Sequence, residues 1–152
     1  MTDALMFASA TPRFALPLLH TGQAQKEIFV NEALALADTL LHCAVAGESA
    51  SPPENPVDDE AWLIGTGASG EWQGRDGEIA MRRGSAWAFV RPRDGMRVLD
   101  ISAGCEMLFF GSWRKASLLV EPLGGSIVDG EARAAINDLI AALQALGILP
   151  SA

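Results

Sequence analysis

For bond-making chemistry the chain offers only two histidines and two cysteines beside its hydroxyls, acids and basic residues. A serine or cysteine nucleophile needs a histidine that a third group orients. His42 adjoins Cys43 near a helix end, and adjacent helical side chains point in different directions. Its place there is that of a partner for the carboxyl-end dipole. His20 lies beside the turn at Pro17. No CxxC or HExxH spacing occurs, so no metal site is expected. Asp58-Asp59-Glu60 reads as a solvated acidic turn. Gly65-Thr66-Gly67-Ala68-Ser69-Gly70 has the form of a dinucleotide fingerprint, but Trp72 and more turns follow where a helix is required. Glu71, Asp76 and Glu78 are close enough to evoke a glycosidase carboxylate pair. A chain of 152 residues leaves little room for a deep cleft. The expectation is a protein that is not an enzyme and takes neither cofactor nor metal.

The tryptophans form the other pattern. Gly70-Glu71-Trp72, Gly84-Ser85-Ala86-Trp87 and Gly111-Ser112-Trp113 each place an indole one or two residues after a glycine turn, and Trp62 completes the set. Flat aromatic faces stack on sugar rings, and amphipathic indoles also donate hydrogen bonds. Trp62, Trp72, Trp87 and Trp113, with Asp76 and Glu78 beside them, are therefore the candidate carbohydrate-binding residues. The competing reading makes the same indoles core or interface anchors. The absence of tyrosine, common on recognition surfaces, favours it.

Composition narrows the class. Apolar residues make up 49% and charged residues 20%, a balance that suits a packed core. The net charge of −8 argues against nucleic acid, whose binders carry a basic patch. The longest apolar runs, such as Met107-Leu108-Phe109-Phe110, are too short for membrane insertion. The opening Met1-Thr2-Asp3-Ala4-Leu5 lacks the basic start of a secretory signal, so export by that route is not expected and synthesis in the cytoplasm is. Cys43 and Cys105 fit no disulfide framework and read as free thiols packed like small apolar residues.

Four stretches organise the chain. Residues 1–46 hold a lead-in broken by Pro17 and a helix predicted from Asn31, its N-cap, to Cys43. Residues 47–58 form a linker in which Pro52, Pro53 and Pro56 exclude regular helix. Residues 59–121 alternate short apolar runs with turns such as Asp76-Gly77, Gly84-Ser85 and Asp94-Gly95, which predicts antiparallel hairpins. Residues 122–152 carry a second helix, capped by Asp129 and stopped by Gly147. Its Ala132, Ile136, Leu139, Leu143 and Leu146 repeat at heptad spacing. A helix so short needs a partner surface, either its own domain or copies of itself. Ile136, Leu139, Leu143 and Leu146 are the candidate oligomer interface. The fold class expected is α+β, an antiparallel β-rich middle flanked by two helices.

Specific blocks of sequence resemble a known family. Pro12-Arg13-Phe14-Ala15-Leu16-Pro17-Leu18-Leu19, Gly22-Gln23-Ala24-Gln25-Lys26-Glu27 and Asn31-Glu32-Ala33-Leu34, ending in Asp38, form the first block. Asp59-Glu60-Ala61-Trp62-Leu63-Ile64-Gly65 and Gly67-Ala68-Ser69-Gly70-Glu71-Trp72 form the second. Together with Gly77-Glu78-Ile79-Ala80, Trp87-Ala88-Phe89-Val90 and Gly95-Met96-Arg97-Val98, they are similar over residues 12–113 to the DUF2793 family of alphaproteobacterial prophages and gene transfer agents. The resemblance implies a structural part in a tail fibre or head spike, with a homotrimer, other virion proteins and a host cell-surface polysaccharide as partners. It carries no catalytic residues. Met81-Arg82-Arg83 departs from the family pattern, since a more apolar strand is usual after the Gly77 turn.

Overall fold

The computed structural model describes residues 10–19, 22, 26–125 and 129–150. The chain divides into two compact units, Met1–Cys43 and Ala44–Ala152. His20 lies outside the described residues.

The first unit is a helix with a chain segment fastened to it. Helix α1 spans Lys26–Leu40, so it starts before Asn31 and ends before Cys43. No glycine or proline interrupts Lys26 to Asn31, and His42 at φ 47° leaves the helical region. Asn31 is therefore interior and caps nothing. Its side-chain amide instead pairs with both backbone groups of Leu19, accepting from the N–H at 2.9 Å and donating to the carbonyl at 3.0 Å.

Asp38 performs the larger fastening. It is only 1% exposed, and it accepts from the Thr11 hydroxyl at 2.7 Å and from the amides of Arg13 and Phe14 at 3.0 and 2.8 Å. Arg13 in return donates to the carbonyls of Asp38, Thr39 and His42, which the helix end leaves unpaired. Arg13, and not the His42 side chain, is thus the cation at this helix end. The His42 ring sits 6.1 Å from that of Phe14. Burial by itself would raise the Asp38 carboxyl. The Thr11 hydroxyl, the two amides and the Arg13 charge outweigh it and hold the group below the usual carboxylate range.

The second unit contains two four-stranded sheets and helix α2. Their strands are β1 (Ala44–Val45), β2 (Glu48–Ser49), β3 (Ala61–Ile64), β4 (Ile79–Arg83), β5 (Ala86–Val90), β6 (Arg97–Asp100), β7 (Cys105–Phe110) and β8 (Ser112–Lys115). One sheet has the order β1-β6-β7-β8 and the other β2-β3-β4-β5. Consecutive strands from β3 to β5 and from β6 to β8 pair antiparallel, as the hairpin turns predict. The two-residue strands β1 and β2 pair parallel with β6 and β3, which makes both sheets mixed. The fold is α+β.

Both short strands come from one six-residue stretch. Ile101 donates to the Val45 carbonyl at 3.0 Å, and Leu63 to the Gly47 carbonyl at 2.9 Å. Gly47 separates them, and a Cβ there would meet the Ser102 hydroxyl at 3.1 Å and approach Trp62. Val45, Leu63, Ile64, Ile79, Met81, Val98, Cys105 and Met107 are buried as the core. Cys43 and Cys105 are both free and buried.

Helix α2 runs Gly130–Ala145. Asp129 caps it by accepting from the Ala132 amide at 3.0 Å, and Gly147 at φ 69° ends it. Its tail meets the sheet where Glu106 donates to the Gly147 carbonyl at 2.6 Å and Leu149 is buried. Its first turns meet the preceding loop, where Arg133 donates to the carbonyls of Pro122 and Gly124. Between these attachments the helix has no buried residue.

The lowered Asp38 carboxyl stabilises the folded chain above the ordinary carboxylate pKa of about 4, and this contribution is lost as pH falls through the folded value. Asp38→Asn removes the charge and part of the acceptor set, and should cost about 1–3 kcal/mol in a urea titration at pH 7. The gap between wild type and variant should close as the titration is repeated toward pH 3.

Candidate functional site

Three of the four tryptophans share one cluster. Trp72 opens no face to solvent, and with Ile64 and Ala80 it forms a core against which Trp62, Ala68, Trp87 and Phe89 pack. Trp72 and Trp87 meet edge to face, with ring centroids 5.1 Å apart. The turn before Trp72 puts it there: Gly70 adopts φ 62°, and the 3-10 turn Gly70–Trp72 directs the indole inward. Trp72 therefore has no surface on which a sugar can stack. Trp62 donates its indole N–H to Glu60 at 2.9 Å.

Arginines cover the cluster. The Arg82 guanidinium lies 5.3 Å from the Trp87 ring centroid, and that of Arg75 lies 3.8 Å from the Phe89 centroid. This accounts for charged residues within β4. Met81 points into the core, while the long stem of Arg82 lies along an aromatic neighbour.

Trp113 lies apart, in a groove of about 530 Å³ between the two sheets of the second unit. Phe109 faces it across the β7–β8 pairing, with centroids 5.2 Å apart and an edge-to-face angle of 71°. The Trp113 indole donates to the Gly77 carbonyl at 2.9 Å, so the ring is tied to the loop between β3 and β4. Leu63 and Pro92 complete an apolar wall.

The polar side of the groove brings Asp76 and Glu78 together with Glu48, Thr66, Ser112 and Arg91. Glu78 is 8% exposed and accepts from Arg91 at 2.8 Å and from Arg75 at 3.1 Å, one guanidinium on each oxygen. Asp76 accepts from the amides of Gly67 and Ala68 at 2.9 and 3.0 Å, and these bonds lower its carboxyl below the usual range. Both carboxyl groups are thus engaged through both oxygens, an arrangement suited to holding a loop and not to proton transfer. Glu71 sits exposed on the 3-10 turn and does not line the groove.

The structure therefore joins Trp113, Asp76 and Glu78 and leaves Trp62, Trp72 and Trp87 in a separate packing cluster. Sequence reasoning missed Arg91, Phe109 and Pro92. Phe109 was legible, because a strand that turns at Gly111 sets Phe109 opposite Trp113. Arg91 carried no such signal. Among the described residues, no three His, Cys, Asp or Glu are grouped to hold a metal, and no helix is long and apolar enough to cross a membrane.

Two mixed sheets closed by a short shared segment, with helices at either end of the chain, define the architectural class. The family model described as "Protein of unknown function (DUF2793)" matches residues 30–114, more than half of the chain. The protein belongs to the DUF2793 family. The matched span holds β1 to β7 and all but the last residue of β8, and it stops before α2. The comparison with curated proteins finds no match.

The buried position of Trp72 carries a stability test. Trp72→Ala should lower the unfolding free energy by about 3–5 kcal/mol, read from denaturant titration by circular dichroism. Trp72→Phe should cost less, because it also removes a buried indole N–H that has no hydrogen-bond partner.

Proposed function

We propose that this chain is a non-catalytic structural component of a phage-like particle, a spike or fibre subunit of a prophage or gene transfer agent. It is made in the bacterial cytoplasm, assembles as a homotrimer and then joins other virion proteins. The observation that carries this reading is the apolar seam left open on α2. Ile136, Leu139 and Leu146 are 47%, 63% and 71% exposed, and Leu143 is half-buried. Leu119 and Val120 line an apolar trough of about 470 Å³ beside the same helix, together with Ile136, Leu139 and Leu143.

Contiguous apolar surface of this kind marks a contact site in soluble proteins. The 3-4-3 spacing of the seam makes it self-complementary, so copies of the same helix are its natural occupants. The first unit adds to the pattern, since Ile28, Phe29 and Leu36 on α1 are exposed as well. The trimer, the particle and the other virion proteins rest on the family resemblance together with this surface. The occupied carboxylates of the groove support a role without catalysis.

A second reading is an adhesion module for host cell-surface polysaccharide. The observation favouring it is the groove wall of Trp113 and Phe109 beside polar side chains. It is compatible with the first, because spikes and fibres contact surfaces.

Light scattering coupled to size exclusion tests the assembly. The intact chain at micromolar concentration should elute with about three times its monomer mass, and Leu139→Glu with Leu146→Glu should give folded monomers. A monomeric wild-type chain overturns the reading.

A further inference from the structure

From the donors and acceptors of the Trp113 groove we infer that its ligand is an uncharged pyranose, bound through its hydroxyls; this rests on the adhesion reading above. Arg91 is the central observation. Its side chain is 85% exposed, yet Glu78 accepts from its Nε at 2.8 Å and fixes the plane of the guanidinium. Among the described residues the two terminal nitrogens of Arg91 take no other hydrogen bond. They remain as an oriented pair of donors at the groove.

The acceptors are anionic. Glu48 and Asp76 line the same groove, and Asp76 is exposed and keeps acceptor capacity beyond its two loop-amide bonds. A ligand that satisfies both sets must donate and accept. A hydroxyl does both, whereas a carboxylate only accepts and an ammonium only donates. Charge points the same way. Glu48, Asp76 and Glu78 are set against Arg91 and, on the second oxygen of Glu78, Arg75, so acids outnumber bases by one and an acidic sugar meets repulsion. The apolar wall of Trp113, Phe109, Leu63 and Pro92 supplies a surface for the C–H face of a ring. The volume of about 530 Å³ is within the range for small-molecule sites.

The site has a built-in reporter. The chain has four indole N–H groups, and that of Trp113 is bonded to Gly77 on the groove loop. The intact, isotope-labelled chain is titrated with the methyl glycosides of glucose, galactose and mannose, and in parallel with glucuronic and galacturonic acid. Nitrogen–proton correlation spectra follow the indole signals. At least one neutral glycoside should shift the Trp113 indole signal, with the uronic acids weaker by about tenfold or more.

Arg91→Ala, checked for fold by circular dichroism, should weaken the neutral sugar by about tenfold, while Arg91→Lys retains part of the affinity. Tighter binding of a uronic acid overturns the inference and leaves the adhesion reading in place. So does undiminished affinity in Arg91→Ala, or a response confined to Trp62 or Trp87. If no neutral or acidic sugar moves any indole signal, the adhesion reading and the inference fall together.

Discussion

One stretch of six residues, Ala44 to Ser49, is hydrogen-bonded into both sheets, and the second unit depends on it. Its first pair of residues extends β6 and its last pair extends β3, with Gly47 between them. The partners lie far along the chain: Ala44 aligns with Leu99, and Glu48 with Leu63. Neither parallel pairing arises from a local turn, so each must be closed through a long loop, which is entropically costly. Once formed, they join two otherwise separate antiparallel meanders at one side. The groove that holds Trp113 lies between those sheets, so its width follows from this shared strand segment. A side chain at position 47 would press on the Ser102 hydroxyl, which would have to give by a few tenths of an ångström.

The acidity of the chain has a structural use. Asp38, Asp58, Asp76, Asp94, Asp100 and Asp129 each accept from at least one backbone amide at a turn, a segment junction or a helix start. Asp100 shows the principle inside the core. Burial would raise its carboxyl, but the Ser102 hydroxyl, the Ala103 amide and Lys115 lower it instead. Aspartates of this sort replace the hydrogen bonds that irregular backbone lacks. The charge of −8 is therefore a by-product of loop construction as much as of solubility.

The β4–β5 hairpin was legible because Gly84-Ser85 allows few other conformations between apolar runs, whereas Asp94-Gly95 turns the chain from one sheet to the other and makes no hairpin. The cap at Asp129 and the stop at Gly147 were legible for the same local reason. The strands β1 and β2 were not, since two-residue strands have no periodicity and their pairing is decided at a distance. The role of Asp38 escaped because it is a tertiary contact, although an acid in the last turn of a helix opposes the dipole and calls for outside donors. In the groove, Trp113, Asp76 and Glu78 were named from their types and neighbours. The glycine-tryptophan repeat suggested four equivalent indoles, but repetition along the chain does not specify depth. Trp72 is drawn inward by a left-handed glycine, and Trp113 is held at the groove by a carbonyl.

The terminal position of β5 has a bearing on how copies of the chain meet. Ala86-Trp87-Ala88-Phe89-Val90 ends its sheet and carries no charge of its own, a profile that invites another strand to dock alongside. Arg91-Pro92-Arg93 follows at once. Proline cannot donate to a ladder, and the flanking guanidiniums repel a like sequence laid against them. Stray sheet growth is thereby confined to a five-residue register.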